Sequence, residues 1–74
     1  MSGDAVRAIR ISKNMSQSEF AAALKVSRSL IEAVENERRA VSHNLRIRIA
    51  QTFDVTDEML ELIRRAKDSG KLAL

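Results

Sequence analysis

SQSEFAAALKVSRSLIEAVEN, residues 16–36, is the stretch that decides the fold. It reads as two short helices separated by a turn of two residues, 25–26. Ser16 and Glu19 have the spacing of a capping box, in which each side chain satisfies a backbone N–H of the other residue. Ser27 has the position of an N-cap for the second helix. Two helices joined by so short a turn must cross steeply and pack against each other.

The apolar residues of this segment fall on the faces that such a crossing buries. Phe20, Ala21 and Leu24 share one face of the first helix, and Ile31 and Val34 share one face of the second. Ala21 suits the crossing point because a larger side chain would push the helices apart. The N-terminal end of the second helix is then left exposed.

The same kind of pattern extends on both sides of the segment. Ser, Thr or Asp caps precede stretches in which apolar residues recur at helical spacing. They predict helices at about residues 4–14, 17–24, 28–36, 43–53 and 57–68, with a C-terminal tail at 69–74. Helices of this length are unstable alone in water, so they must pack together. We expect one all-α domain over residues 1–74, a compact bundle of five short helices.

The composition excludes several classes of protein. The chain has no cysteine, which rules out disulfides and thiolate metal sites, and it has no apolar run long enough to span a bilayer. The single histidine, His43, has no cysteine or acidic cluster beside it, and no Ser–His–Asp set or glycine-rich phosphate loop is visible. We therefore expect a soluble cytoplasmic protein that is not an enzyme and needs no metal or cofactor.

The net charge of +3 is concentrated in one short stretch. Residues 38–48 carry Arg38, Arg39, Arg46 and Arg48 with no acid, whereas the rest of the chain is close to neutral. This pattern favours a polyanion such as double-stranded DNA as the partner, although a solvated loop and helix face is the alternative. For Arg46 and Arg48 the two interpretations, a phosphate ligand and a solvated side chain, are equally good.

The exposed start of the second helix carries side chains suited to reading DNA bases. A helix in the major groove reads bases with its first residues. Arg28 can donate two hydrogen bonds to a guanine, which is worth about 1–3 kcal/mol of discrimination, and Ser29 can bond to a base or a phosphate. Glu32 either accepts from a cytosine or holds Arg28 in an i,i+4 pair. Gln17, at the start of the preceding helix, can bring its amide to a phosphate.

Three segments, VRAIRISKNM, SQSEFAAALKVSRSLIEAVEN and IAQTFDVTDEML, resemble the Cro/C1-type (XRE) helix-turn-helix regulators of phages, plasmids and bacteria, notably the lambdoid-phage repressors. The resemblance covers about residues 6–60 and implies a lambda-repressor-like DNA-binding domain. The chain departs from the family at Lys25 and Glu37, where glycine is usual. A lysine in the left-handed conformation that the turn needs costs about 1 kcal/mol, and an acid at Glu37 is unhelpful beside phosphates.

The resemblance also implies the residues of the site. The predicted base contacts are Arg28, Ser29, Glu32 and Ala33. The predicted phosphate contacts are Gln17, Ser27, Asn36, Arg38 and Arg39. In some members of the family a buried salt bridge ties the first helix to the third, and here it would join Arg10 to Glu35.

The fifth helix has more apolar positions than one packing face needs. Met59, Leu62, Ile63 and Ala66 are either core or a surface for self-association. Two linked DNA-binding domains on adjacent half-sites bind much more tightly than one domain alone. We therefore expect a homodimer through this helix and the tail. The expected function is a transcription regulator, a repressor on a palindromic operator. The alternative is an antitoxin or accessory module whose main partner is another protein.

Overall fold

The computed structural model describes residues 1–68, apart from the side chains of residues 57, 60 and 66–68. These residues form five α-helices and no strand, so the predicted all-α class is confirmed. The helices are α1 (Gly3–Ser12), α2 (Gln17–Leu24), α3 (Arg28–Glu35), α4 (His43–Phe53) and α5 (Asp57–Asp68). The predicted tail at 69–74 lies outside the described residues. Within the described part of the chain, no helix is long and apolar enough to cross a membrane.

Serine hydroxyls define where the first four helices begin. In each case the hydroxyl accepts a hydrogen bond of 3.1 Å from the backbone N–H three residues further on. The four N-caps are Ser2, Ser16, Ser27 and Ser42. Capping by Ser2 starts α1 at Gly3, one residue before the predicted start, and the helix ends at Ser12, two residues before the predicted end at Asn14.

The capping box at the start of α2 is complete. The Glu19 carboxylate accepts from the Ser16 N–H at 2.9 Å, while the Ser16 hydroxyl accepts from the Glu19 N–H. The bond from the Ser16 backbone favours the ionised carboxylate and holds the pKa of Glu19 below its usual value. The stability that this box contributes is therefore present above the ordinary pKa of a glutamate and is lost as the pH falls through the lowered one.

Left-handed residues end the first four helices, and none of them is a glycine. They are Asn14 (φ 57°), Lys25 (φ 59°), Glu37 (φ 62°) and Asp54 (φ 54°). At each end the following N–H turns back to a carbonyl of the last turn; the Val26 N–H, for example, donates to the Ala21 carbonyl at 3.0 Å. Asn and Asp tolerate this conformation better than other side chains. The strain is therefore greatest at Lys25 and Glu37, on either side of α3.

Relief of this strain gives a first prediction. We expect Glu37→Gly to raise the free energy of unfolding by about 1 kcal/mol, which corresponds to about 4–8 °C in melting temperature for a domain of this size. Glu37→Gln is the matched control because it removes the charge and keeps the strained backbone. Thermal denaturation of both variants and of the wild type measures the difference in melting temperature. If Glu37→Gln stabilises as much as Glu37→Gly, charge rather than backbone strain is responsible.

The core is aliphatic and is built around one phenylalanine. Phe20 of α2 is fully buried and stacks on Phe53 at the end of α4, with ring centroids 4.9 Å apart and an interplanar angle of 7°. The other fully buried large side chains come from α1, α3 and α4: Ile9, Ile31, Ile49, Val6 and Val34. Gly3 brings α1 directly onto α3, because a Cβ there would collide with the Val34 carbonyl. The core thus holds α3 against α1 and α2.

Candidate nucleic-acid interface

The α2–turn–α3 unit presents the first turn of α3 to solvent. Phe20, Ala21 and Leu24 pack against Ile31 and Val34, and the contact between these two helices is the most extensive in the bundle. The chain reverses through the left-handed turn after α2, and a serine cap starts α3. With the inward face of α3 occupied by the core, its opposite face and its N-terminal end are left outside.

Arg28 and Ser29 lie at this exposed end. Among the described residues, the Arg28 side chain makes no ion pair and donates no hydrogen bond. Its guanidinium is a planar fork of donors that matches two acceptors on a guanine edge. A free fork at the start of a helix is therefore the arrangement that base reading in a major groove requires.

The second turn of α3 contains the other two predicted base contacts. Glu32 and Ala33 are half-buried at the edge of the exposed face. The Glu32 carboxylate lies 3.7 Å from the Arg38 guanidinium, with the Arg38 side chain 66% and the Glu32 side chain 46% exposed, so its ion-pair partner is Arg38 and not Arg28. An exposed pair at this distance contributes little stability, and DNA can replace either partner.

A buried ion pair between Arg10 of α1 and Glu35 of α3 holds the end of α3 in place. Arg10 Nε and Nη2 donate to the two Glu35 carboxylate oxygens at 2.7 and 2.9 Å, and Arg10 Nη1 donates to the Met15 carbonyl at 3.0 Å. The two side chains are only 14% and 3% exposed. The hydrogen bond to Glu35 raises the pKa of Arg10 further above its usual value, against the opposing effect of burial. The pair joins α1, the loop before α2, and α3.

The predicted phosphate contacts at the starts of α2 and α3 already have protein partners. Gln17 Nε2 donates to Glu35 at 3.3 Å, which uses one of the two amide hydrogens and leaves the other for a phosphate. The Ser27 hydroxyl accepts from the Leu30 N–H as the cap of α3. Its own hydrogen is still available as a donor. Both side chains can thus bind a phosphate without giving up their structural bonds.

The loop after α3 presents its cations to solvent. Asn36, Arg38 and Arg39 are all exposed. The backbone N–H groups of Arg38 and Arg39 both donate to the Ala33 carbonyl, at 2.9 and 3.3 Å, which folds the loop onto the end of α3. The predicted phosphate-binding side chains therefore stand beside the predicted base-reading helix.

A helix-turn-helix family model matches residues 6–60, which contain the whole of α2, the turn and α3. The chain belongs to the Cro/C1-type helix-turn-helix family. It is accordingly a DNA-binding protein of the transcription-regulator class. No curated protein and no solved structure gives a significant match to the chain. Its α3 is the second helix of this helix-turn-helix.

Arg48 has a role that neither interpretation of the sequence included. From α4, its Nη1 donates to the carbonyls of Leu24 and Lys25 at 3.1 and 3.3 Å, so it binds the helix-turn-helix at its turn. No local signal in the sequence marks this contact, because it depends on how α4 packs across α2.

The predicted dimer residues on α5 differ in their surroundings. Met59 and Ile63 are half-buried, and Ile63 packs against the core. Leu62 is 58% exposed, more than the other exposed large apolar side chains of the described residues, Ile11 (43%) and Ile47 (38%). Glu61, next to it, accepts hydrogen bonds from Arg64 that hold its pKa below the usual value. The side chain of Ala66 lies outside the described residues.

Proposed function

We propose that the protein is a transcriptional repressor that binds a palindromic operator as a homodimer, with α3 in the major groove. The observation that carries the proposal is that Arg28, in the exposed first turn of α3, the proposed recognition helix, has no side-chain partner among the described residues. Arg28 differs from other exposed arginines in its place, because it stands in the first turn of the second helix of the helix-turn-helix.

The base contacts in this proposal follow from position along α3. Arg28 reads a guanine with both arms of its guanidinium, and Ser29 bonds to a neighbouring base. Glu32 accepts from a cytosine N4 amine once Arg38 moves away from it, and Ala33 packs against a thymine methyl group.

The proposed phosphate contacts lie on both sides of the base-contacting residues of α3. Gln17 and Ser27 bind phosphates on one side of α3, and Asn36, Arg38 and Arg39 bind them on the other. Contacts of this kind fix the register of the helix in the groove and supply affinity that does not depend on sequence.

The dimer in this proposal forms through α5 and the tail. Exposure of Leu62 is the supporting observation, since apolar surface of this kind is covered in a self-association interface. Met59, Ile63 and Ala66 flank it in sequence and complete the proposed interface. A two-fold axis between two domains requires a palindromic site, with half-sites about 10–10.5 base pairs apart or a multiple of that. The protein works where the DNA is, in the cytoplasm of a bacterial cell or of a phage-infected host.

Selection of bound sequences from random duplex DNA tests the proposal. We expect enrichment of an inverted repeat, and two protein chains on each selected duplex by light scattering. Failure to enrich any sequence would contradict base reading. Enrichment of a single, non-repeated half-site by a monomer would contradict the dimer alone, and would favour the alternative in which α5 binds a different protein.

Loss of one phosphate contact gives a second prediction. We expect Arg38→Ala to weaken binding to selected and random DNA by the same factor and to reduce the slope of log affinity against log salt by about 1. Arg64→Ala, which removes the same charge from the exposed surface of α5, is the matched control and should leave the slope unchanged. Fluorescence anisotropy titrations over a series of salt concentrations measure both effects. A loss confined to the selected site would instead make Arg38 a base-reading residue.

A further inference from the structure

The contact between Arg48 and the turn after α2 involves two carbonyls that the helices do not satisfy. Near the end of α2, the Ala21 and Ala22 carbonyls accept from the N–H groups of Val26 and Lys25. The carbonyls of Leu24 and Lys25, which follow in the turn, accept hydrogen bonds from the Arg48 side chain instead. The last carbonyls of a helix have no partner within that helix, so a donor from another element is needed.

The same turn contains a strained residue. Lys25 has φ 59° and ψ 41°, a left-handed conformation that side chains other than Gly, Asn and Asp rarely adopt. Its carbonyl points to Arg48 only while this conformation persists. A relaxed backbone at Lys25 would turn that carbonyl away and change the direction in which the chain enters α3. The hydrogen bonds from Arg48 therefore favour the strained turn over its relaxed alternatives.

The charge of Arg48 also suits this place. The C-terminal end of a helix carries a partial negative charge that favours a cation, and α2 has no basic residue in its own last turn. Arg46, two residues earlier on α4, is exposed like Arg48, but its side chain makes no hydrogen bond or ion pair within the described residues. The two arginines thus lie on the same helix and carry the same charge, but only Arg48 binds the turn after α2.

We propose that Arg48 is a positioning residue for the recognition helix: it clamps the left-handed turn at Lys25 and so fixes the angle at which α3 meets DNA. The part that concerns DNA rests on the proposed function, whereas the clamp itself does not. The consequence is that α4 controls base reading without touching a base, and that Arg48 is not a phosphate ligand.

Amide hydrogen exchange under native conditions tests the clamp without DNA. We expect Arg48→Ala to accelerate exchange of the Val26 N–H about tenfold relative to core amides, the factor associated with a hydrogen bond to a charged group. Arg46→Ala is the matched control and should change neither the exchange of the Val26 N–H nor that of the core amides. If the Val26 amide of Arg48→Ala is accelerated only as much as the core amides, Arg48 contributes general stability and the clamp is refuted.

Binding to the selected operator tests the positioning role, and Lys25→Gly supplies a rescue. We expect Arg48→Ala to lower affinity for the operator several-fold more than for random DNA. Glycine adopts the left-handed turn without strain, so the double variant Lys25→Gly/Arg48→Ala should regain most of that affinity. Two results would overturn the role. Equal losses on both DNAs with a reduced salt slope make Arg48 a phosphate ligand, and unchanged operator binding despite faster exchange shows that the turn does not set the angle.

Discussion

Glu35→Ala should lower the free energy of unfolding by about 3–5 kcal/mol, because it leaves the Arg10 guanidinium buried without its counter-ion. Three bonds depend on this carboxylate: the two from Arg10 and the one from Gln17. Small domains have little stability to spare, with about 5–15 kcal/mol for typical proteins. We therefore expect urea denaturation, followed by far-UV circular dichroism, to show a variant that is largely unfolded at moderate denaturant.

A paired replacement separates the charge from the contact. Arg10→Met combined with Glu35→Leu removes both charges and fills the space with apolar atoms, and we expect it to recover most of the lost stability. The single variants Arg10→Met and Glu35→Leu, together with the pair and the wild type, form a double-mutant cycle. A loss below about 1 kcal/mol for Glu35→Ala, the range of an exposed pair, would contradict the conclusion that this interaction is a buried one.

Arg28→Ala should produce the largest change in DNA recognition. We expect a loss of about 1–3 kcal/mol of binding free energy at each guanine that the side chain reads, and a much smaller loss on random DNA. Arg28→Lys is the sharper companion variant, because it keeps the charge but cannot form the two parallel bonds. Its affinity for random DNA should stay near that of the wild type while its affinity for the operator falls. Equal losses of affinity for the operator and for random DNA would show that Arg28 does not contact a base.

Interactions between near neighbours in the sequence could be predicted well. The capping box of Ser16 and Glu19 and the cap at Ser27 need only three-residue spacing, and the structure contains them. The apolar faces of α2 and α3 followed from helical periodicity for the same reason. The first helix was predicted to start at about residue 4, one residue late, because Ser2 caps it and the helix starts at Gly3.

Interactions between distant residues could not be predicted from the residues themselves. Arg48 lies 24 and 23 positions from the carbonyls that it binds, and its orientation depends on the packing of α4. The partner of Glu32 was also open, since spacing favours Arg28 on the same helix while the folded loop after α3 brings Arg38 close. The left-handed turns at Lys25 and Glu37 carry no glycine that would have marked them, and only the resemblance to a family indicated them.

The most direct measurement is to perform the selection from random duplex DNA in parallel with the wild-type protein and with Arg28→Ala. The central claim is that the exposed first turn of α3 reads bases. It predicts that both proteins enrich the same inverted repeat, except at one base pair of each half-site, where the wild type requires guanine and Arg28→Ala accepts any base. Identical preferences at every position in the two proteins, or no enrichment by the wild type, would contradict it.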